Sequence, residues 1–232
     1  FFFKQKTAYE IPKRDWSSDV CSSDLSLNEL SSDIEFQTPR GACITTLHAP
    51  GLHNVRNALA ACAAAVAMDV APADIAQGLT NYAGVKGRLQ RKAGACGAII
   101  IDDTYNANPE SMRAAIDVLA RLSGERLLIL GDMGELGVRG EAAHREIGEY
   151  ARAAGLKQLY AVGDASLLTV AAFGAGSEHF SSVEALLARV KPRLAPGITV
   201  LVKGSRFMRM ERIVDALTAT AADAEAAKTG RA

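Results

Sequence analysis

The sequence predicts an α/β protein whose main part is a mostly parallel sheet flanked by helices. Three observations predict it. After Gly94, apolar strand-like runs alternate with amphipathic helical runs, the rhythm of βαβ units. The run Leu127-Leu128-Ile129-Leu130 is apolar throughout rather than alternating, which suits a strand covered on both faces. Polar strings, two of them containing glycine, follow three of these runs, where an open α/β sheet presents its ligand edge.

Taken in order, residues 1–25 show no helical or strand period and lack the pattern of a signal peptide. They resemble translated sequencing-adapter sequence fused to a reading frame, and are expected to lie outside the fold. From about Ser31 to His48, short β segments flank the turn Thr38-Pro39-Arg40-Gly41 and predict a hairpin. A helix is expected over 55–68, and a second opens at Pro72, where the ring fits the first helical turn. Residues 84–92 read as a turn and an extended link. Strands are then expected at 98–102, 126–130, 158–162 and 198–202, and helices at 110–122, 141–154, 183–191 and 208–217. The tail 218–232 lacks large core-forming residues and is expected to fray. The expected division is therefore 26–93 as the end of one domain and 94–217 as a complete small sheet domain.

Composition narrows the function. The 232 residues carry 26 Lys plus Arg against 26 Asp plus Glu, with 49% hydrophobic and 6% aromatic residues. That suits a packed core and gives a nucleic acid neither a basic face nor a stacking platform. Cys21, Cys43, Cys62 and Cys96 show no CxxC pairing and no zinc spacing, so free thiols in a reducing cytosol are expected. No apolar run is long enough for a membrane-spanning helix.

Several strings carry candidate chemistry. Asn54 and Asn57 stand three apart and would share a helix face, offering amide donors and acceptors to a nucleotide; Asn54 as a plain helix cap is the alternative. Arg88, after Gly87, offers a fork for a phosphate or is a surface arginine. Asp102-Asp103-Thr104-Tyr105-Asn106-Ala107-Asn108-Pro109 follows a buried strand and precedes a helix. Its carboxylates suit ribose hydroxyls or a cation, or the string is a turn with side-chain caps. Gly131–Gly137 and Lys203-Gly204-Ser205-Arg206 follow two further strands, and neither is a P-loop.

Together these strings resemble the Mur ligases: HNxxNALAA at 53–61, GR at 87–88, DDTYNANPESM at 102–112, LGDMGELG at 130–137 and VKGSR at 202–206. The resemblance implies a Rossmann-like C-terminal domain preceded by the end of a central ATPase domain. It implies that Asn54, Asn57, Arg88 and Asp103 lie at ATP. Asn106, Asn108, Lys203 and Ser205 are then substrate contacts. The DDxYNANP and GDMxELG forms resemble the branch that joins D-alanyl-D-alanine to the UDP-N-acetylmuramoyl-tripeptide through an acyl phosphate, using ATP and Mg2+ in peptidoglycan synthesis. The family's P-loop and magnesium ligands have no counterpart in this sequence, so no catalytic or metal-binding residue is assigned. The chain alone is expected not to use ATP. A free-standing nucleotide- or peptide-binding module is the alternative from another class.

Overall fold

The computed structural model describes residues 26–27, 31–49, 51–82 and 84–218. The segment 1–25 and the tail beyond Thr218 lie outside the described residues. The chain divides into two compact units, between Ala83 and Gly84.

The first unit holds a three-stranded antiparallel sheet in the order β1 (Ser26–Leu27), β2 (Ser32–Thr38), β3 (Gly41–Leu47). β2 and β3 form the expected hairpin, in register from Ser32 opposite Leu47 to Thr38 opposite Gly41. Its turn is closed by Thr38, whose Oγ1 donates to the Gly41 carbonyl at 2.6 Å. Period-two alternation sends Ile34, Phe36, Cys43 and Leu47 to one buried face. Helices α1 (Leu52–Ala67) and α2 (Pro72–Thr80) supply Val55, Ala58, Cys62 and Ile75 to the same cluster. α1 begins earlier than the sequence suggests, with Gly51 as its N-cap at φ 95°, a conformation that glycine adopts without strain. Asn54 thus sits inside the first turn, and the reading of it as the cap does not hold.

The second unit is a six-stranded sheet. Its strands are β4 (Gln90–Ala93), β5 (Ile99–Asp103), β6 (Glu125–Gly131), β7 (Leu159–Val162), β8 (Ser177–Phe180) and β9 (Ile198–Lys203). The spatial order is β4-β5-β9-β6-β7-β8, parallel throughout except for β4 at one edge. Between the strands run α3 (Pro109–Arg121), α4 (Gly140–Ala153), α5 (Ser166–Phe173) and α6 (Val183–Val190), and α7 (Glu211–Leu217) follows β9. One face packs Ile100, Leu127, Ile129, Val200 and Val202 against Leu186, Val190, Ile213 and Val214 of α6 and α7. The alternate residues Ile101, Leu128, Leu130 and Leu201 are equally buried, while α3 and α5 contribute contacts to the sheet. Both faces are covered, as an apolar-throughout parallel strand requires.

Residues 84–93, grouped above with the preceding segment, pack with the second unit. Gln90–Ala93 pairs antiparallel with β5, from Gln90 opposite Asp102 to Ala93 opposite Ile99. An edge strand with a single neighbour tolerates the polar Gln-Arg-Lys sequence that made this stretch read as a link.

Candidate functional site

Strands β5, β9 and β6 are neighbours and run in one direction, so the three polar strings emerge side by side. Asp103 lies opposite Lys203, and Lys203 opposite Leu130. The strings at 103–108, 131–137 and 203–206 therefore share the carboxyl edge of the sheet.

Alternation puts the two aspartates on opposite faces. Asp102, fully buried, pairs with Lys92 of β4 at 2.8 Å and accepts from the N–H and hydroxyl of Thr104 at 3.2 and 2.7 Å. Asp103 faces the other way. Its Oδ2 forms an ion pair with Lys203 Nζ at 2.7 Å, and its Oδ1 accepts the Leu89 N–H at 3.1 Å. Lys203 Nζ also donates to the Asn106 carbonyl at 2.9 Å. Two residues drawn from strings a hundred positions apart in the chain thus form one buried pair, with side chains 11% and 3% exposed.

Ser205 binds the three strings together. Its hydroxyl accepts the Gly134 N–H at 2.7 Å and lies 3.2 Å from the Ala107 carbonyl, to which it donates. Its own N–H donates to the Asp132 carbonyl at 2.9 Å. The Asp132 carboxylate accepts the N–H groups of Ala165 and Ser166 at 3.2 and 2.8 Å, and also the Ser166 hydroxyl. That packing requires Gly163: a Cβ there, at φ 120°, would stand 2.4 Å from Asp132 Oδ1.

Asn108 is the N-cap of α3, accepting the Ser111 N–H at 2.8 Å while Ser111 reciprocates on the Asn108 N–H at 3.1 Å. Its amide oxygen is thereby occupied as a cap, the alternative that the string left open. Asn106 is exposed. Arg88 stacks its guanidinium 4.5 Å from the centre of the exposed Tyr105 ring, and the Tyr105 N–H donates to the Gly87 carbonyl at 2.9 Å. Gly87 stands at φ 73°, where a side chain is strained, and a Cβ there would crowd the Tyr105 nitrogen at 3.0 Å. Arg88, Asp103, Asn106, Lys203 and Ser205 are therefore gathered by one sheet edge. Asn54 and Asn57 lie in the first unit, both on α1, with Asn57 exposed and Asn54 partly so.

Sequence reasoning passed over Tyr105, Asp132 and His144 as site residues. Asp132 stood inside a string already singled out. His144, in the middle of a helical run, gave no signal at all. Sequence reasoning also missed a cleft of about 450 Å³ at the carboxyl ends of β7 and β8. It is lined by Gly163, Asp164, His179, Ser182, Glu184 and Arg212 among others. The Glu184 carboxyl is held below its usual range by its own backbone N–H and the Ser182 hydroxyl. Among the described residues, no group of three or more His, Cys, Asp or Glu side chains is placed to hold a metal ion. No described helix is long and apolar enough to cross a membrane.

A parallel sheet whose adjacent carboxyl ends carry mutually bonded polar loops defines an α/β ligand-binding domain of the doubly wound class. Comparison makes the assignment particular: residues 87–206 match the Mur ligase, glutamate ligase domain, and the chain belongs to that family. It is 41% identical over 203 residues to the UDP-N-acetylmuramoyl-tripeptide–D-alanyl-D-alanine ligase of Escherichia coli K12, covering 87% of this chain and 45% of that protein. A crystal structure of MurF from Acinetobacter baumannii superposes with a TM-score of 0.76 at 34% identity, covering 85% of this chain and 44% of that one. MurF ligase from Thermotoga maritima, solved in complex with ADP, superposes at 0.71 with 25% identity, covering 83% and 44%. The chain thus spans less than half the length of each of these relatives.

Proposed function

We propose that this chain supplies the second half of an ATP-dependent ligase that joins D-alanyl-D-alanine to the UDP-N-acetylmuramoyl-tripeptide in peptidoglycan synthesis. The observation that carries the reading is the bonded set of loops at 103–108, 131–137 and 203–206 on one sheet edge. All three are built from the strings this chain shares in form with the family. In the intact enzyme ATP would activate the tripeptide carboxylate as an acyl phosphate, and the dipeptide amine would attack it. The work of the present residues is positioning.

In this reading the second unit holds the dipeptide and meets the nucleotide. The cleft beside the loops offers both signs of charge that a zwitterionic dipeptide needs: the Arg212 guanidinium for its carboxylate, and Asp164 and Glu184 for its ammonium. Arg88, 4.5 Å over the Tyr105 ring, offers its guanidinium fork to a phosphate. Asn54 and Asn57 serve the nucleotide from the first unit, and Asn106 and Lys203 the substrates from the second. Asp103 contributes to the nucleotide site by way of the segment it holds through Leu89. No residue of this chain is assigned to Mg2+, since no string in it matches the family's P-loop or magnesium ligands. The chain alone is expected to be inactive.

Calorimetric titration of the purified chain with D-alanyl-D-alanine tests this. Saturable binding is expected, with loss of about tenfold or more in affinity for Arg212→Ala, the cost of one charge-assisted contact. Absence of binding, or equal affinity for L-alanyl-L-alanine, would overturn the substrate assignment.

A further inference from the structure

The 131–137 loop is held from behind by a side chain that none of the motif strings includes. His144, in the first half of α4, is only 2% exposed, and both ring nitrogens are engaged. Nδ1 lies 2.7 Å from the Gly140 carbonyl oxygen one helical turn back. Nε2 lies 3.0 Å from the Met133 nitrogen. These partners settle where the proton is. A carbonyl only accepts and a peptide N–H only donates. The ring is therefore neutral, with its proton on Nδ1 and its Nε2 lone pair on the Met133 N–H. The residue is itself anchored, since the Thr169 hydroxyl donates to the His144 carbonyl at 3.0 Å.

The bond to Met133 has consequences beyond one amide. The next N–H, that of Gly134, goes to Ser205, and the preceding carbonyl, that of Asp132, receives the Ser205 N–H. The loop backbone is thus pinned between His144 on one side and Ser205 on the other. Ser205 passes the register on to Ala107.

We infer that His144 is a positioning residue of the site: its neutral imidazole, as acceptor at Nε2, sets the Asp132–Met133 peptide and through Ser205 the geometry of all three loops. His144 is buried, so it acts through the backbone it holds. The identity of the ligand rests on the proposed function; the role of His144 in the loop does not.

Two substitutions in the whole chain separate this role from simple packing. In His144→Asn the amide nitrogen keeps the donor near Nδ1, but nothing reaches Met133. In His144→Gln the side-chain oxygen can stand near the Nε2 position and accept the Met133 N–H. Nitrogen NMR of the unmodified protein is expected to show a protonated Nδ1 and a bare Nε2. Amide exchange at Met133 and Gly134 should quicken by about tenfold or more in the Asn variant, as a buried donor loses its partner. The Gln variant should stay near the original rates, and affinity for D-alanyl-D-alanine should follow the same order. A proton on Nε2, or equal behaviour of the two variants, would overturn the inference. If the unmodified chain ignores the dipeptide, the ligand assignment fails. The tautomer and the exchange rates then decide the role of His144 by themselves; if the Asn variant does not fold, the tautomer of the unmodified chain and the retained exchange rates of the Gln variant decide it.

Discussion

The two units solve the problem of burying a sheet differently. In the first, a small antiparallel sheet buries one face against α1 and α2, and Ile44 on the other face is 69% exposed. Much of α1 is alanine, and Ala60, Ala61, Ala63, Ala64 and Ala67 are exposed. In the second, helices cover both faces and central residues such as Ile100, Leu127, Val200 and Leu201 are fully buried. A sheet sealed on both faces leaves only its strand ends for chemistry, and there the second unit concentrates its buried polar groups: Asp102, Asp103, Thr104, Lys203 and Ser205. The lesson is that enclosure, rather than polarity of sequence, sets where a rigid polar site can be built. A buried polar network needs every partner fixed by a packed element behind it.

The sharpest way to break this contrast is Lys203→Ala. It strands the Asp103 carboxylate in the interior, and removal of one partner of a buried pair costs about 3–5 kcal/mol. Thermal melts should show that loss in the second unit, while replacing both residues with leucine should recover most of it. A loss below about 1 kcal/mol for the single change would mean that water reaches the pair and that the site is not enclosed.

A smaller effect marks the first unit. Burial, followed by the neighbouring Cys43, pushes the Cys62 thiol from 9.0 up to about 11, and burial pushes Cys43 up as well. Both thiols are free. The folded state favours the protonated form, so this contribution to stability is complete below pH 9.0. It fades as the pH climbs towards about 11. Denaturant midpoints measured across that range should fall for the original chain and fall less for Cys62→Ala. An equal slope in both would place the alkaline sensitivity elsewhere.

The smallest effect concerns one cap. Asn108→Ala should cost about 1 kcal/mol through the start of α3, as loss of an N-cap does. Equilibrium unfolding reads this directly. If substrate affinity falls with no change in stability, Asn108 serves a ligand rather than the helix.

The strands that carry the site were legible because they are buried on both faces. Ala98–Ile101 and Leu127–Leu130 admit no polar residue, and a run of that kind has few other homes. β4 and β8 were not legible. Each is an edge strand with one neighbour, and Gln-Arg-Lys-Ala and Ser-Glu-His-Phe satisfy an edge without looking like a strand. α5 was missed for the opposite reason: Ser166–Phe173 is apolar on nearly every side, so no amphipathic period announces it. In the site, convergence of the three strings followed from strand order, but the pairing did not. That Asp103 would meet Lys203, and that Ser205 would be used up by Gly134 and Ala107, depends on register between strands distant in sequence. His144 was invisible for the same reason, since its partner Met133 lies across a loop and not along the helix.

The position of β9 fixes an order of events during synthesis. It is the last strand of the sheet in the chain, yet it lies between β5 and β6, at the centre of the sheet. Until it leaves the ribosome, β4–β5 and β6–β8 are two half-sheets that share no hydrogen-bonded border, each with an open apolar edge. Closing them demands a contact between distant segments, the kind that forms slowly. The strand that joins the halves also delivers Lys203 to Asp103 and, just beyond it, Ser205 to Gly134. The ligand edge is thus assembled in the step that completes the sheet. A nascent chain that has not reached Lys203 carries neither a finished core nor a paired site, and its open edges are the surfaces a chaperone would meet.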